Sequence, residues 1–346
     1  MKEKKIFNQA SEERFEDARI IGGNPNGIIS YNQTPHPWAY SLYKKMRARF
    51  WVPSNIDITK DKINYTNLSP AEKRAYDLVL AQLIANDSIQ TNQLMDKMNS
   101  YITSPVVNAC LALQASEESN HSDAYAVMAE DICKDTKRIY YMHEEVPELY
   151  NKNQAVENMF AGLYKEGEEP TKEDLLICFA ANQILERLIF PGGFVIIFKL
   201  ADKLPGSGEM VREIAKDELS SHVELFKFIF RTCIEEEFKN IIPLKVIETI
   251  HDLIKKIVEI EITWIKFASE GLMGFSDRTI RIFIQNAANE ICNNLQIPVA
   301  YPEEKDDPLN KLLRHNMRDG SVATRENFFT GNVTAYSKGS VKDDWE

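Results

Sequence analysis

Apolar residues recur at helical spacing along most of this chain, and no stretch alternates with the period of a strand. The pattern predicts an all-α protein. A short helix is expected over 37–51, with Trp38, Leu42, Met46 and Phe50 in register and Pro53 ending it. Ser69-Pro70-Ala71-Glu72 is a helix start with an N-cap Ser, Pro in the first turn and a Glu closing a capping box. That helix should reach about Met98, with Tyr76, Leu80, Leu83, Leu94 and Met98 as its apolar stripe. Ser104-Pro105 opens a second long helix that runs to about Cys133. A polar segment over 134–170 should hold short helices, one of them near 154–164. Thr171 caps a third long helix, striped by Leu175, Phe179, Phe190 and Ile197. Pro191-Gly192-Gly193 should distort it one turn past Glu186. Pro205-Gly-Ser-Gly208 reads as a turn before a fourth helix to about Phe238, with Val211, Ile214, Leu225 and Ile229 on its inner face. Two more helices should cover 244–267 and 277–295.

The two ends differ from this. Residues up to about Asn32 mix glycine, asparagine and charge and read as a loosely packed arm. After about Asp319 the chain turns to Gly, Ser, Thr, Asn and Lys, leaving Phe328, Phe329, Tyr336 and Trp345 as isolated hydrophobic handles. The expected organisation is therefore a helical domain over 1–318 and a flexible tail over 319–346.

Polar residues inside the apolar stripes change the picture. Glu118, His121 and Tyr125 share one helix face with Leu111, Met128 and Ile132. A lone charge on a core-facing stripe would cost several kcal/mol unless paired or metal-bound. The arrangement recurs: Asp87, Glu186 and Glu218 sit at the centres of the other long stripes, and His222 accompanies Glu218. Four such carboxylates cannot all stay charged in a dry core. Two divalent cations would balance them, and mixed oxygen and imidazole donors suit iron or manganese better than zinc or calcium. Di-metal carboxylate bundles of the ferritin-like type use this ligand economy: one Glu from each of two helices and Glu-x-x-His from each of the other two. Here the first helix offers Asp in place of Glu. His36, His143, His251 and His315 fall in loops or on polar faces and read as surface or capping residues.

Composition narrows the function classes. A net charge of −11 argues against a nucleic-acid footprint or an anionic membrane surface as partner. The 5 cysteines are scattered, form no C-x-x-C and indicate neither a disulfide framework nor a zinc ribbon. Met-Lys-Glu-Lys-Lys is not followed by an apolar run, so no signal peptide is expected. The longest apolar stretch, 188–198, is too short to span a bilayer. A reducing, cytoplasmic setting is the default expectation.

The chain resembles the small, radical-generating subunit of class I ribonucleotide reductase. The resemblance rests on Phe50-Trp51-Val-Pro, Asn86-Asp-Ser-Ile-Gln90, Glu118-x-x-His121-x-x-x-Tyr125, Glu186-x-x-x-Phe190, Ile214-Ala-Lys-Asp-Glu218 and Asn327-Phe-Phe, in this order over nearly the whole length. It implies a ferritin-like bundle in which Asp87, Glu118, His121, Glu186, Glu218 and His222 hold two transition-metal ions, Fe/Fe first, with Mn/Mn and Mn/Fe as alternatives. It implies that Tyr125 or the cluster stores an oxidising equivalent, that Trp51 and Asp217 link the metal site through His121 to the surface, and that Tyr336 relays the radical to a large catalytic subunit docked by the last residues. A homodimer is implied as well, and a flavoprotein activator is left open. On the residues alone, Tyr125, Phe190, Phe194 and Ile214 are equally ordinary core residues, and Trp51 could be a packing anchor. The sequence departs from the family in two places. Glu218 and His222 are four apart instead of three, which calls for a local bulge or a rotated ligand. Thr330 and Asn332 stand where an acidic residue and an arginine are usual. The rival readings are a di-metal ligand-binding oxidase, an iron-storage protein and a metal-free helical interaction protein.

Overall fold

A computed structural model describes residues 1–318, and the expected tail with Tyr336 lies outside the described residues. The described chain forms eleven helices and no sheet. In order, α1 is Pro37–Ala48 and α2 is Thr59–Asn64. Helix α3 is Pro70–Gln93, carried on by a widened turn, Leu94–Met98; α4 is Pro105–Val127, likewise extended by Met128–Cys133. Short helices α5 and α6 are Thr136–Glu145 and Pro147–Asn158. Helix α7 runs Lys172–Ile184, Leu185–Ile189 and Phe190–Leu200, and α8 runs Pro205–Lys216, Asp217–His222 and Val223–Phe238, the middle segment being π-helical in each. Helices α9, α10 and α11 are Leu244–Ala268, Asp277–Leu295 and Pro308–Met317. Among the described residues no helix is long and apolar enough to cross a membrane.

The start signals work locally. The Ser69 hydroxyl accepts from the Glu72 backbone N–H while the Glu72 carboxylate accepts from the Ser69 backbone N–H, and Thr171 and Asp174 repeat the box at α7. The stripes face a shared interior: Tyr76, Leu80, Leu83, Leu111, Met128, Leu175, Phe179, Val211, Ile214, Leu225 and Ile229 are all buried. Helices α3, α4, α7 and α8 are packed together there, and they carry the four stripe carboxylates.

Several expectations need correction. The distortion expected at Pro191-Gly192-Gly193, one turn past Glu186, falls earlier, in the widened turn Leu185–Ile189 that contains Glu186. A proline ring crowds the carbonyl four residues before it, here Arg187, so the preceding turn must open. Gln82 donates to the Ile189 carbonyl in that opened turn at 3.4 Å. Pro205-Gly-Ser-Gly208 is not a turn but the first turn of α8. The Asp61 carboxylate caps it, accepting from the Gly206 and Ser207 backbones at 3.0 and 2.7 Å. Gly206 is required there, because a Cβ would sit 2.7 Å from the Asp57 carbonyl. Helix α1 ends before Phe50, which is exposed. The N-terminal arm is not loose throughout: Ile20 and Ile21 are fully buried, and Ile21 bridges to Ile102. His36 is neither a surface residue nor a side-chain cap. It is buried, with Nδ1 bonded to Ser104 at 3.0 Å and Nε2 to Glu236 at 2.7 Å, tying the entry to α1 to the ends of α4 and α8.

Candidate metal centre

Each of the four long helices delivers its carboxylate to one point. Asp87, Glu118, His121 and Glu218 form one group, and Glu118, Glu186, Glu218 and His222 a second; within each, one donor atom per residue lies within 4.8 Å of the others. Glu118 and Glu218 belong to both, so the groups are adjacent and share two carboxylates. All six side chains are fully buried. His121 Nδ1 faces Glu218 Oε1 at 2.9 Å, Glu118 Oε2 at 3.3 Å and Asp87 Oδ2 at 3.7 Å. His222 Nδ1 faces Glu218 Oε2 at 2.8 Å, Glu118 Oε1 at 3.3 Å and Glu186 Oε2 at 3.8 Å. The two rings are 6.0 Å apart.

Of the two ways to accommodate the four-residue spacing of Glu218 and His222, a bulge or a rotated ligand, the chain takes the bulge. Asp217–His222 is a widened turn, and it absorbs the added residue while both side chains stay on the inner face. The second group therefore draws Glu186 and His222 from two opened helical turns, whereas Asp87, Glu118 and His121 come from regular helix.

The electrostatics follow from burial and from the charges these side chains place on one another. Burial and then the Glu118 and Glu218 charges push the Asp87 carboxyl well above its usual range, and burial and Glu218 do the same to Glu186. Burial alone would lower the imidazoles, but the Asp217, Glu118 and Glu218 carboxylates around His121 hold it well above its ordinary value. Glu218 and Glu118 do the same for His222. Burial opposes ionisation of Glu218, yet His222 outweighs it and keeps that carboxyl well below its usual range. Both Asp87 oxygens, Glu118 Oε2, Glu186 Oε2, Glu218 Oε1 and His121 Nδ1 have no directed hydrogen bond among the described residues. Buried acceptors converging without donors are what a cation centre needs, and oxygen-rich donors with one imidazole per group match iron or manganese.

Around the donors is a polar layer that sequence reasoning missed. Gln114 donates to Glu118 Oε1 at 3.1 Å and Glu186 Oε1 at 2.9 Å, and Gln90 donates to Glu186 Oε1 at 2.5 Å. Glu117 meets His222 Nε2 at 2.9 Å. Gln114 stands one turn before Glu118 on the same face, which was the available signal; Glu117 lies off the stripe and had none.

Of the remaining expected site residues, Tyr125 is fully buried, and its hydroxyl has no hydrogen-bond partner among the described residues. Burial and then the Asp87, Glu218 and Glu118 charges raise its phenol well above the usual value. Phe190, Phe194 and Ile214 are fully buried in the same core. The indole of half-buried Trp51 stacks at 6.3 Å and 22° against His121. It donates to Asp217, whose same oxygen lies 3.3 Å from His121 Nε2.

Comparison with known proteins agrees with this architecture. The family described as "Ribonucleotide reductase, small chain" matches residues 28–308. The chain is 30% identical over 345 residues to a ribonucleoside-diphosphate reductase subunit beta of Treponema pallidum, covering 98% of this chain and 96% of that protein. It is 24% identical to the subunit beta of Halalkalibacterium halodurans, over 94% of each. Among solved structures, the ribonucleotide reductase R2 subunit from Clostridium botulinum shares the fold with a TM-score of 0.84 at 24% identity, over 91% of this chain and 99% of that one. The dimanganese(II)-NrdF of Streptococcus sanguinis does so with a TM-score of 0.72 at 21% identity, over 84% and 99%. The chain belongs to the ribonucleotide reductase small-chain family, and is the small subunit that works with a large catalytic subunit to reduce ribonucleoside diphosphates.

Proposed function

We propose that the buried centre holds two transition-metal ions, with Asp87 and His121 serving one, Glu186 and His222 the other, and Glu118 and Glu218 shared between them. The observation that carries this is the pair of overlapping four-donor groups, in which both Asp87 oxygens, Glu118 Oε2, Glu186 Oε2 and Glu218 Oε1 converge without hydrogen-bond donors among the described residues. Iron is the first assignment and manganese the alternative; a dimanganese(II) centre is named for the Streptococcus sanguinis protein of similar fold. When bound, and charged by an external oxidant such as dioxygen, the metals would supply one-electron oxidising power.

The chain's own residues do the rest. The apolar interior would keep water and reductants from Tyr125, the residue that would hold the oxidising equivalent as a neutral phenoxyl radical once one electron and its phenol proton had passed to the metal centre. The hydrogen-bonded series His121, Asp217 and Trp51 leads from the centre to the half-buried indole. From there Tyr336, in the C-terminal segment 319–346, relays the oxidising equivalent to the large subunit, and the acidic, tryptophan-bearing end Asp343-Asp344-Trp345-Glu346 docks it. We read the working form as a homodimer, with a flavoprotein activator as an open partner.

Metal analysis after anaerobic reconstitution tests the centre. About two ions per chain are expected, with at least one lost in Glu118→Ala. Wild-type protein near zero under both iron and manganese would overturn the reading.

A further inference from the structure

The two metal-facing imidazoles are built alike. Each turns Nδ1 to the shared carboxylates Glu118 and Glu218 and its far nitrogen, Nε2, to a carboxylate outside the donor set. For His121 the outer partner is Asp217, at 3.3 Å. For His222 it is Glu117 Oε2, at 2.9 Å. Glu117 is buried and comes from α4, while His222 comes from α8, so the contact crosses between helices.

His222 needs such an anchor more than His121 does. His121 stands on a regular helical turn, three residues from Glu118. His222 stands at the end of a widened turn, four residues from Glu218. A π-helical turn does not fix the direction of its side chains through the ordinary i to i+4 ladder, so the ring direction must be set from outside. A hydrogen bond from Nε2–H to a carboxylate does this. It fixes the tautomer that leaves the Nδ1 lone pair toward the donor group, locks the ring plane and raises the basicity of the ligating nitrogen.

We infer that Glu117 is the positioning residue of the second metal position, the one served by Glu186 and His222, as Asp217 is of the first. The inference rests on the two-metal reading above and adds a residue that is not itself a donor in either group. Its specific consequence is that the two positions can be emptied separately. Loss of the Glu117 carboxylate should loosen one ion and leave the other.

The test is metal binding, not turnover. Full-length wild type, Glu117→Ala and Glu117→Gln are titrated with Fe(II) and Mn(II) anaerobically, and bound metal is counted after desalting. Wild type should hold two ions. Glu117→Ala should keep one tightly and bind the second roughly 10–100-fold more weakly. Glu117→Gln still offers an oxygen to Nε2–H and should recover most of that loss. Adding Glu186→Ala to Glu117→Ala should not lower the count of tight ions further, because both changes act on one position. Melting of the metal-free forms should be alike, which a merely structural role would not give. Two ions held with wild-type affinity in Glu117→Ala would overturn the inference alone, as would joint loss of both. If Glu117→Ala does not fold, Glu117→Leu against Glu117→Gln reads the same contrast. A wild type that binds no metal would instead overturn the two-metal reading, and this inference with it.

Discussion

The indole N–H of Trp51 donates to Asp217 Oδ2 at 2.9 Å, and that oxygen also lies 3.3 Å from His121 Nε2. One carboxylate oxygen thus joins an aromatic at the edge of the core to an imidazole that faces the metal centre. Packing alone would not require this, because an indole can bury its ring without aiming its N–H at a shared acid. Trp51→Phe keeps an aromatic in place and removes only the donor. It should leave metal content and any Tyr125 radical intact while reductase activity with the large subunit falls to background. Asp217→Ala should act differently, weakening metal binding roughly 10–100-fold through His121. Retained activity in Trp51→Phe, measured at saturating large subunit, would remove Trp51 from the relay.

Tyr125 invites a test that separates stability from chemistry. Its buried hydroxyl has no hydrogen-bond partner among the described residues. A buried unsatisfied hydroxyl costs about 1–3 kcal/mol, so Tyr125→Phe should be neutral or stabilising in the metal-free protein. Metal stoichiometry should be unchanged, and the electron paramagnetic resonance signal of a tyrosyl radical should vanish. Full activity in this variant would assign the stored oxidising equivalent to the metals.

What the sequence disclosed follows from where each interaction partner lies. The capping box at Ser69 and the cap at Thr171 close within three residues, so both helix starts were legible, although the return bond from Asp174 was not read. The stripe carboxylates were legible because a charge is conspicuous on an apolar face; the widened turn at Asp217–His222 was legible only in part, because the Glu218–His222 spacing allowed either a bulge or a rotated ligand. His36 was misjudged because its partner Glu236 is 200 residues away. Pro205 passed for a turn because the anion that caps its helix, Asp61, comes from 145 residues earlier. Glu117 had no local signal, its imidazole partner lying 105 residues on. Helix α11 was not foreseen either; Asp307 caps it, and only Leu309 and Leu313 of its residues are buried.

The thiols give a pH dependence of definite sign. Burial pushes the thiols of Cys110, Cys133 and Cys178 up to about 12 from an ordinary value of 9.0. Above pH 9 the unfolded chain sheds these protons while the folded chain keeps them, so the unfolded state binds fewer and stability falls as pH rises. The contribution is complete below about pH 9 and is lost on the way to about 12. Native protein at pH 9 should resist iodoacetamide at these three positions, whereas protein in urea should label readily. The stability difference between wild type and the triple alanine variant should shrink across the same window in urea melts. A difference independent of pH would refute the assignment.

Lys152 and Glu261 form an ion pair at 2.6 Å in which both side chains are almost wholly buried. The pair joins α6 to α9. Burial lowers the Lys152 ammonium to about 8 despite Glu261, and burial raises the Glu261 carboxyl despite Lys152, so desolvation outweighs attraction on both sides. Gly192 makes room for the carboxylate, since a Cβ there would collide with Glu261 Oε1. The Lys152 ammonium also lies 5.4 Å from the Trp264 ring, whose N–H is bonded to Gln82, the residue that donates to the opened turn at Ile189. Removing one partner leaves an uncompensated buried charge, so Lys152→Met and Glu261→Leu should each cost about 3–5 kcal/mol in urea unfolding. The double variant removes both desolvation penalties and fills the space with apolar atoms. It should recover most of that loss, giving a large favourable coupling in the double-mutant cycle. Additive losses would mean that the two groups do not stabilise one another, and that the pair is held in place by the packing of α6 against α9 alone.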